Sequence, residues 1–518
     1  MTLRREALLS AALAAAVASV LAWLGPPGTD FAAHAYQRTL FLEHGFSLWN
    51  NWWYAGRYSF ITYSVLYYPL AALLGIKLLA VATIALAALA FAVVLGREWG
   101  PAARWSSRTF AVVWAGIVLS AAFPFALGMA FALLALSTLQ ARARWRFVAL
   151  AVLTLAASPV AFLLLAVVLG GVAVARRPAL VPALTIALAA TVELVLWRLF
   201  PGGGRFPFSP EELALAVGFC GLGMALTWRV DRVLFAVFGV YLAVIVGAYV
   251  IPSSIGENAA RLRYAALPLG VLIFSLRRWR PRWAAIVGLA GAVAFNVSPL
   301  AASYVKSSRD RTEQPRAWTG AIGFLRTHLG PGYRVEAVDT ATHWPAAYLA
   351  DAHIPIARGW FRQDDFPTNA VLYGKLGERS YVAWLHALGV RYVVRAHAQP
   401  DYSARAEAAI AKRLRAVYRS REVTIYAVPH PRPIARGLLA LTDERIKIAV
   451  HKPGTIRIAV KYSPYWHASK GCLSEGSDGM LRLRNLHPRV VTIVFDVSAG
   501  RALRTLAGER PDCDLKRS

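Results

Sequence analysis

The first candidate for chemistry is a single carboxylate that follows an apolar run. Asp30 stands just beyond the run from Ala7 to Leu24, and His34 follows it by four residues. A carboxylate at the edge of a membrane span is in contact with water, where it can accept a proton from a hydroxyl or ligate a divalent cation. The i, i+4 spacing places Asp30 and His34 on one face if the segment is helical. A helix cap or a solvated charge is the alternative interpretation of Asp30.

The same loop continues with aromatic and basic residues. Trp52 and Trp53 are followed closely by Arg57. Indole rings in such a loop can stack on sugar rings, or they can anchor the loop among lipid headgroups. We therefore count Trp52, Trp53 and Arg57 among the candidate substrate-binding residues.

A second candidate site lies in a short loop between two apolar runs. It contains Glu257, Arg261 and Arg263. The charge pattern places this loop on the outer side of the membrane, where the positive-inside rule disfavours arginine. A lipid phosphate would explain arginines there, because guanidinium binds phosphate in a bidentate manner. Headgroup contact without catalysis is the alternative.

A third candidate is an acidic pair in the less apolar C-terminal part of the chain. Asp364 and Asp365 follow Trp360 and Phe361, and acids beside aromatic rings suit sugar binding. A solvated turn is the competing interpretation. The sequence contains no dinucleotide fingerprint, P-loop or zinc-ligand spacing.

Composition indicates that a membrane supplies the surroundings of these residues. Apolar residues make up 57% of the 518 residues and charged residues only 16%, whereas soluble domains carry roughly 25% charged residues. The formal net charge is +29, which would suggest nucleic acid for a soluble protein. Here many arginines fall in short loops between apolar runs, as the positive-inside rule requires. We therefore expect membrane lipid as a partner and no nucleic acid.

The apolar runs predict a polytopic α-helical bundle with about eleven spans. Arg4 and Arg5 place the N-terminus in the cytoplasm, and an odd number of spans places the C-terminus outside. We expect residues 60–74 to form an interfacial or re-entrant helix. Runs broken by proline border protein or water rather than lipid, which indicates a cavity on the outer side. The predicted spans are 7–24, 76–95, 110–122, 124–139, 147–157, 160–175, 181–200, 213–228, 233–251, 264–276 and 284–304.

The pattern predicts a membrane domain over residues 1–305 and two domains outside it. Residues 306–430 alternate helix and strand signals, which is typical of an α/β domain. Residues 431–518 carry short alternating strands separated by glycine and proline, which favours a β-sandwich, a candidate for glycan binding. Cys472 and Cys513 fall in this part, so an oxidising compartment would allow a disulfide between them.

Several short motifs resemble those of GT-C membrane glycosyltransferases. They are Gly28-Thr29-Asp30-x-x-x-His34, Trp49-Asn50-Asn51-x-x-Tyr54-Ala55-Gly56 and Leu66-Tyr67-Tyr68-Pro69-Leu70-Ala71. The segments Leu388-Gly389-Val390-Arg391-Tyr392-Val393-Val394 and Lys461-Tyr462-Ser463-Pro464-Tyr465-Trp466 resemble bacterial membrane proteins labelled 6-pyruvoyl-tetrahydropterin synthase-related, although no residue here indicates pterin chemistry.

The resemblance implies a function for these residues. The family uses polyprenyl-phosphate sugars as donors, and Asp30 matches the acidic residue of the first outer loop that is usually the catalytic base or a metal-binding acid in the family. Where the family often has a second acid this chain has Phe31, so a divalent metal stays open and no cofactor is assigned. The implied protein is a transferase of the bacterial plasma membrane that glycosylates a cell-envelope glycan or lipid. A flippase for lipid-linked glycan and a non-catalytic envelope assembly protein are the alternatives.

Overall fold

The computed structural model describes residues 2–176, 179–202 and 204–508. Cys513 lies outside these ranges, so the Cys472–Cys513 disulfide stays a prediction. The chain divides into two compact units, which we call the helical unit and the mixed unit. The helical unit comprises Met1–Phe31, Tyr63–Glu193 and Arg205–Ser308. The mixed unit comprises Ala32–Thr62, Leu194–Gly204 and Arg309–Ser518.

Helices occur along the whole chain. In chain order they are α1 (Leu3–Leu24), α2 (Phe31–His44), α3 (Tyr67–Leu74), α4 (Ile76–Trp99), α5 (Arg104–Ala115), α6 (Ile117–Ser120), α7 (Phe123–Gln140), α8 (Arg144–Ala157), α9 (Pro159–Ala175), α10 (Leu180–Leu199), α11 (Pro210–Thr227), α12 (Arg232–Val250), α13 (Ala266–Leu276), α14 (Arg282–Ser308), α15 (Thr319–His328), α16 (Trp344–Asp351), α17 (Glu378–Leu388), α18 (Arg405–Ala411) and α19 (Ala499–Ala507).

Seven helical segments in the described part of the chain are long and apolar enough to cross a membrane. They indicate a multi-pass membrane protein, as the sequence predicts. The expected total of about eleven spans is not reached. Of the remaining predicted spans, 110–122 falls within the segment Ile76–Ser120. The spans 147–157, 160–175 and 213–228 correspond to α8, α9 and α11, which have 14, 17 and 18 residues, whereas a span needs about 20 apolar residues. The seven segments are Leu3–Leu24, Ile76–Ser120, Phe123–Gln140, Leu180–Leu199, Arg232–Val250, Gly256–Leu276 and Arg282–Ser308.

The core of the helical unit consists of small and aromatic side chains. Alanines such as Ala14, Ala87 and Ala130 are fully buried, which allows helix backbones to approach closely. Between them the rings of Phe91 and Phe110 stack with centroids 4.0 Å apart. This stacking joins α4 to α5. Phe147 of α8 and Phe162 of α9 are buried in a second apolar cluster, so the pair of short helices on either side of Pro159 packs against protein.

The strands lie in the mixed unit. In chain order they are β1 (Trp49–Asn50), β2 (Arg57–Tyr58), β3 (Arg334–Val338), β4 (Val390–Ala396), β5 (Arg415–Arg419), β6 (Val423–Ala427), β7 (Leu438–Leu441), β8 (Arg445–Val450), β9 (Gly454–Lys461), β10 (Trp466–Ala468), β11 (Cys472–Glu475), β12 (Met480–Asn485) and β13 (Arg489–Phe495).

Two architectures follow one another in the mixed unit, as the sequence predicts. A four-stranded sheet has the order β3-β4-β6-β5, with β3 parallel to β4 and the other pairs antiparallel. A four-stranded sheet β10-β13-β8-β7 and a three-stranded sheet β11-β12-β9 then form a sandwich. Residues of both sandwich sheets, such as Ile448 and Leu481, share one core. A β-sheet region in the C-terminal part of the chain is thus confirmed, and its binding of glycan stays a prediction.

The mixed unit also contains a segment that sequence reasoning assigned to the membrane domain. Residues Ala32–Thr62 belong to it, and Trp49 is buried in the sandwich core beside Phe495, with ring centroids 5.0 Å apart. Asn51 donates to the carbonyl oxygen of Thr442 at 2.7 Å. The first loop is therefore part of this unit rather than a free connection between spans.

Candidate functional site

The backbone at Asp30 is held by the end of a short helix. The amides of Thr29 and Asp30 donate to the carbonyls of Leu119 and Ser120 at 3.1 and 3.2 Å. Both acceptors lie at the C-terminal end of α6, where carbonyls have no intrahelical partner. Two hydrogen bonds to one helix end fix the position from which the Asp30 side chain projects.

Gly28 makes this attachment possible. A Cβ atom at this position would overlap the carbonyl oxygen of Val118 and lie 2.7 Å from the Cβ of Ala121. Contacts this short with backbone atoms are not tolerated, so only glycine lets the chain approach α6 so closely. The conformation of the Gly28-Thr29-Asp30 motif thus has a local physical cause.

Asp30 and Arg261 share one electrostatic environment around Tyr63. Desolvation raises the pKa of the Tyr63 phenol above its ordinary value. The positive charge of Arg261 lowers this pKa and the negative charge of Asp30 raises it. Because such effects fall off with distance, the carboxylate and the guanidinium lie near the same hydroxyl, although 231 positions separate them in the sequence.

Arg261 and Arg263 have different surroundings. Both belong to the 3₁₀ helix Gly256–Ala265. The guanidinium of Arg261 lies 5.0 Å from the centre of the Phe125 ring, a distance at which an aromatic face attracts a cation. Arg263 instead forms an ion pair with Glu212 at 3.1 Å and lies 3.9 Å from Glu257. Arg261 is therefore the better placed of the two to meet an anionic ligand.

Arg261 also lines an apolar cavity of about 350 Å³ inside the helical unit. The cavity lies between α4, α5, α7, α9, α12 and α13, and aromatic side chains such as Phe91, Phe110 and Trp114 line it. Its volume falls within the range of roughly 300–1,000 Å³ that is typical of ligand sites. Among the described residues of the lining, charge occurs at Arg261 and at Glu98 with Arg176, which form an ion pair. Asp30 is not among the lining residues of this cavity.

The other candidates from the first loop lie in the mixed unit. His34 is fully buried, and its ring lies 5.3 Å from the ring of Trp360. Trp53 is also fully buried and donates through Nε1 to the carbonyl oxygen of Ala346 at 3.0 Å. Trp52 is 7% exposed. These tryptophans contribute to the core of the unit, and sugar stacking by them stays a prediction.

The acidic pair of the mixed unit is buried in ion pairs. Asp364 and Asp365 are 4% and 1% exposed, so the alternative of a solvated turn is wrong. Arg57 donates through Nε to Asp364 at 2.6 Å. Arg358 donates to Asp365 at 3.2 Å, and the Tyr373 hydroxyl donates to the same carboxylate at 2.6 Å. Sugar binding by this pair stays a prediction.

Sequence reasoning missed the centre of this network. Glu336 and Glu407 are both fully buried, and burial together with the negative charge of Glu407 raises the pKa of Glu336 well above its usual range. Arg358 lies 3.6 Å from Glu407 and balances part of this charge. These residues come from β3, α18 and the segment between α16 and α17, and no local pattern relates them. Val335 and Ala337 alternate with Arg334 and Glu336 along β3, so the sequence pattern favours an exposed Glu336, and only the structure shows that this carboxyl is buried.

Among the described residues, no group of three or more His, Cys, Asp or Glu side chains could hold a metal ion. No protein-family model matches the chain, and a search of curated proteins finds no significant match.

Proposed function

We propose that the protein is a GT-C-type membrane glycosyltransferase that uses a polyprenyl-phosphate sugar. The observation that carries the proposal is the placement of Asp30 and Arg261 around Tyr63, with Arg261 lining an apolar cavity. A donor of this class has an anionic phosphate between a sugar and a long hydrocarbon chain. A cation that lines a hydrocarbon-compatible cavity suits both parts of such a molecule.

In the proposed reaction the acceptor is a hydroxyl of an envelope glycan or lipid. Asp30 accepts the hydroxyl proton as the oxygen attacks the anomeric carbon of the donor sugar. The bond between that carbon and the phosphate oxygen breaks, and polyprenyl phosphate leaves with the electron pair. Arg261 stabilises the negative charge that develops on the leaving phosphate. The proton remains on Asp30 until water removes it, so the step needs no further reactant.

The proposal includes an orientation and the number of spans. The arginine bias of the short loops supports a cytoplasmic N-terminus and a mixed unit on the outer side of a bacterial plasma membrane. If Ile76–Ser120 is counted as two crossings, the shorter helices α8, α9 and α11 would complete about eleven crossings, provided that the surrounding helices shield their ends. The other proposed substrate-binding residues are His34, Arg57, Trp52, Trp53, Glu257, Arg263, Asp364 and Asp365. Those in buried ion pairs would position neighbouring groups rather than contact the substrate themselves.

The test is a transfer assay in reconstituted membranes with a panel of labelled polyprenyl-phosphate sugars. Asp30→Asn keeps the size of the side chain and removes its basicity, so we expect the transfer rate to fall roughly 10²–10⁴-fold. Binding of unlabelled polyprenyl phosphate should be unchanged. Transfer at the normal rate would remove Asp30 from the mechanism. Movement of labelled lipid across the bilayer without transfer would favour the flippase, and neither activity would favour the assembly protein.

A further inference from the structure

Helix α19 is amphipathic with an unusual orientation. At 100° per residue, Ala502, Leu503 and Leu506 fall on one side of the helix and Arg501, Arg504 and Thr505 on the other. In most surface helices the apolar side faces the core. Here none of the residues of α19 is buried, and Leu503 and Leu506 are 67% and 39% exposed.

The polar side of α19 is the side that contacts the protein. Arg501 donates to the carboxylate of Asp496 at 2.6 Å and to its backbone oxygen at 2.8 Å. The Thr505 hydroxyl donates to the Arg501 carbonyl oxygen at 2.8 Å and lies close to the Tyr465 hydroxyl. A Cβ atom at Gly508, which follows α19, would lie 3.9 Å from the guanidinium of Arg198 in α10. These contacts attach the helix to the sandwich through its polar face, and they turn the leucines away from the mixed unit.

The same tyrosine connects α19 to the end of a candidate membrane span. The Tyr465 hydroxyl also donates to the carbonyl oxygen of Leu199 at 3.1 Å. Leu199 is the last residue of α10, which is long and apolar enough to cross a membrane. In the last turns of α10, Leu194 and Trp197 are 63% and 56% exposed. Tryptophan at the end of a span is typical of the membrane–water interface.

We propose that α19 lies in the headgroup region of the bilayer. Leu503 and Leu506 enter the upper part of the acyl chains, and Arg504 contacts lipid phosphates. The contact with the end of α10 places the helix where a span leaves the membrane. A protein partner fits less well, because a nine-residue helix is about 13 Å long, and a stable interface buries about 800 Å² per partner. This inference is independent of the proposed glycosyl transfer.

Site-specific photo-crosslinking in the full chain tests this inference. p-Benzoylphenylalanine is placed at position 503, 506 or 504, and the protein is reconstituted in phosphatidylcholine–phosphatidylglycerol vesicles. After irradiation, mass spectrometry identifies the adducts. We expect lipid adducts to dominate at 503 and 506 and to fall several-fold at 504. The charge in Leu506→Glu should lower the lipid adduct at 503 several-fold, because it disfavours contact with acyl chains.

The other outcomes would overturn the proposal. Adducts at 503 with a second polypeptide would assign the leucines to a protein interface. Adducts with residues 509–518 or another part of the same chain would show that the protein covers its own helix. No adduct at 503 or 506, with normal adduct formation at a benzophenone on position 197 of α10, would place the helix in water.

Discussion

The guanidinium of Arg57 donates to the carboxylate of Asp364 at 2.6 Å, and both side chains are buried. The same guanidinium lies 3.9 Å from the centre of the Phe361 ring. Arg57 belongs to the first loop and Asp364 to the segment between α16 and α17, more than 300 positions later. The mixed unit therefore depends on a contact between two distant parts of the chain.

Breaking this pair should destabilise the mixed unit. Removing one partner of a buried ion pair typically costs about 3–5 kcal/mol, because the remaining charge is desolvated and unpaired. Asp364→Asn leaves the buried guanidinium of Arg57 without its carboxylate partner. It also removes a negative charge near Lys461, whose ammonium donates to the Asp364 backbone oxygen at 3.1 Å. We expect a clear decrease in the thermal unfolding midpoint of the full-length protein in detergent.

The exposed pair between Arg413 and Glu378, 3.6 Å apart, is a matched control. Glu378→Gln should change the midpoint little, since exposed pairs contribute about 0–1 kcal/mol. The double variant Arg57→Met, Asp364→Leu should recover much of the stability. Equal midpoints for Asp364→Asn and Glu378→Gln would contradict a structural role of the buried pair.

Glu336 should make stability depend on pH. Burial holds the pKa of this carboxyl well above its ordinary value of 4.5, so the folded protein keeps a proton that the unfolded chain releases. As pH rises above about 4.5, the unfolded state binds fewer protons than the folded state, and the free energy of unfolding falls by up to about 1.4 kcal/mol per pH unit. Glu336→Gln cannot titrate and should flatten this dependence.

The measurement is the unfolding midpoint between pH 5 and pH 8 for the unmodified protein and for Glu336→Gln. Glu475→Gln, at an exposed position of the sandwich, should leave the slope unchanged. An identical slope in Glu336→Gln would mean that Glu336 is ionised in the folded protein.

Local patterns were enough to predict most helices and strands. The predicted span 233–251 corresponds to α12, and the short strands expected after residue 431 are present as β7 to β13. It was harder to predict which segments belong to the helical unit and which to the mixed unit, because this depends on contacts between distant residues. The run around Trp49 and Trp53 has the composition of an interfacial aromatic belt, and only the three-dimensional structure shows these rings in the core of the mixed unit.

The candidate site was only partly predictable, because it also depends on contacts between residues that are distant in the sequence. Asp30 and Arg261 each stood out, one as an acid after a span and the other as an outer arginine. Their common neighbour Tyr63 carried no signal beyond that of an aromatic residue in the predicted interfacial helix 60–74. The ion pair between Arg263 and Glu212 was equally hidden, because both residues look alike in sequence to charged residues that face water.

Arg261→Ala should weaken the binding of polyprenyl phosphate. A hydrogen bond to a charged group contributes about 1.5–3 kcal/mol, which corresponds to a loss of roughly 10- to 100-fold in affinity. Arg263→Ala should affect affinity less, since its guanidinium is paired with Glu212. Equilibrium binding of labelled polyprenyl phosphate to both variants measures the difference. A larger loss of affinity in Arg263→Ala than in Arg261→Ala would mean that Arg263, not Arg261, contacts the phosphate.

Gly28→Ala should disturb the position of Asp30 without unfolding the bundle. The added methyl group would overlap the Val118 carbonyl, so the hydrogen bonds from Thr29 and Asp30 to α6 would lengthen. We expect the transfer rate to fall, since misplacing a catalytic group by about 1 Å can cost on the order of 10²-fold. Gly218→Ala, where a Cβ atom meets nothing within 4 Å, is the control. Normal transfer by Gly28→Ala would show that this attachment is not needed.

The termini should lie on opposite sides of the membrane. The arginine bias of the short loops predicts this arrangement. A reporter that is active only in the cytoplasm should therefore give no signal when fused after residue 518, while the same reporter at the N-terminus should be active. A strong signal at the C-terminus would refute the proposed orientation.

The apolar cavity of the helical unit has a defined length. Phe125 and Gln140, near the two ends of α7, both line it, and a rise of 1.5 Å per residue separates them by about 22 Å. If the phosphate of a lipid contacts Arg261, the hydrocarbon tail of that lipid extends towards the ion pair between Glu98 and Arg176. Hydrocarbon that reaches this ion pair adds no further binding free energy. Affinity should then rise with tail length and reach a plateau, so that the helical unit would act as a gauge of chain length.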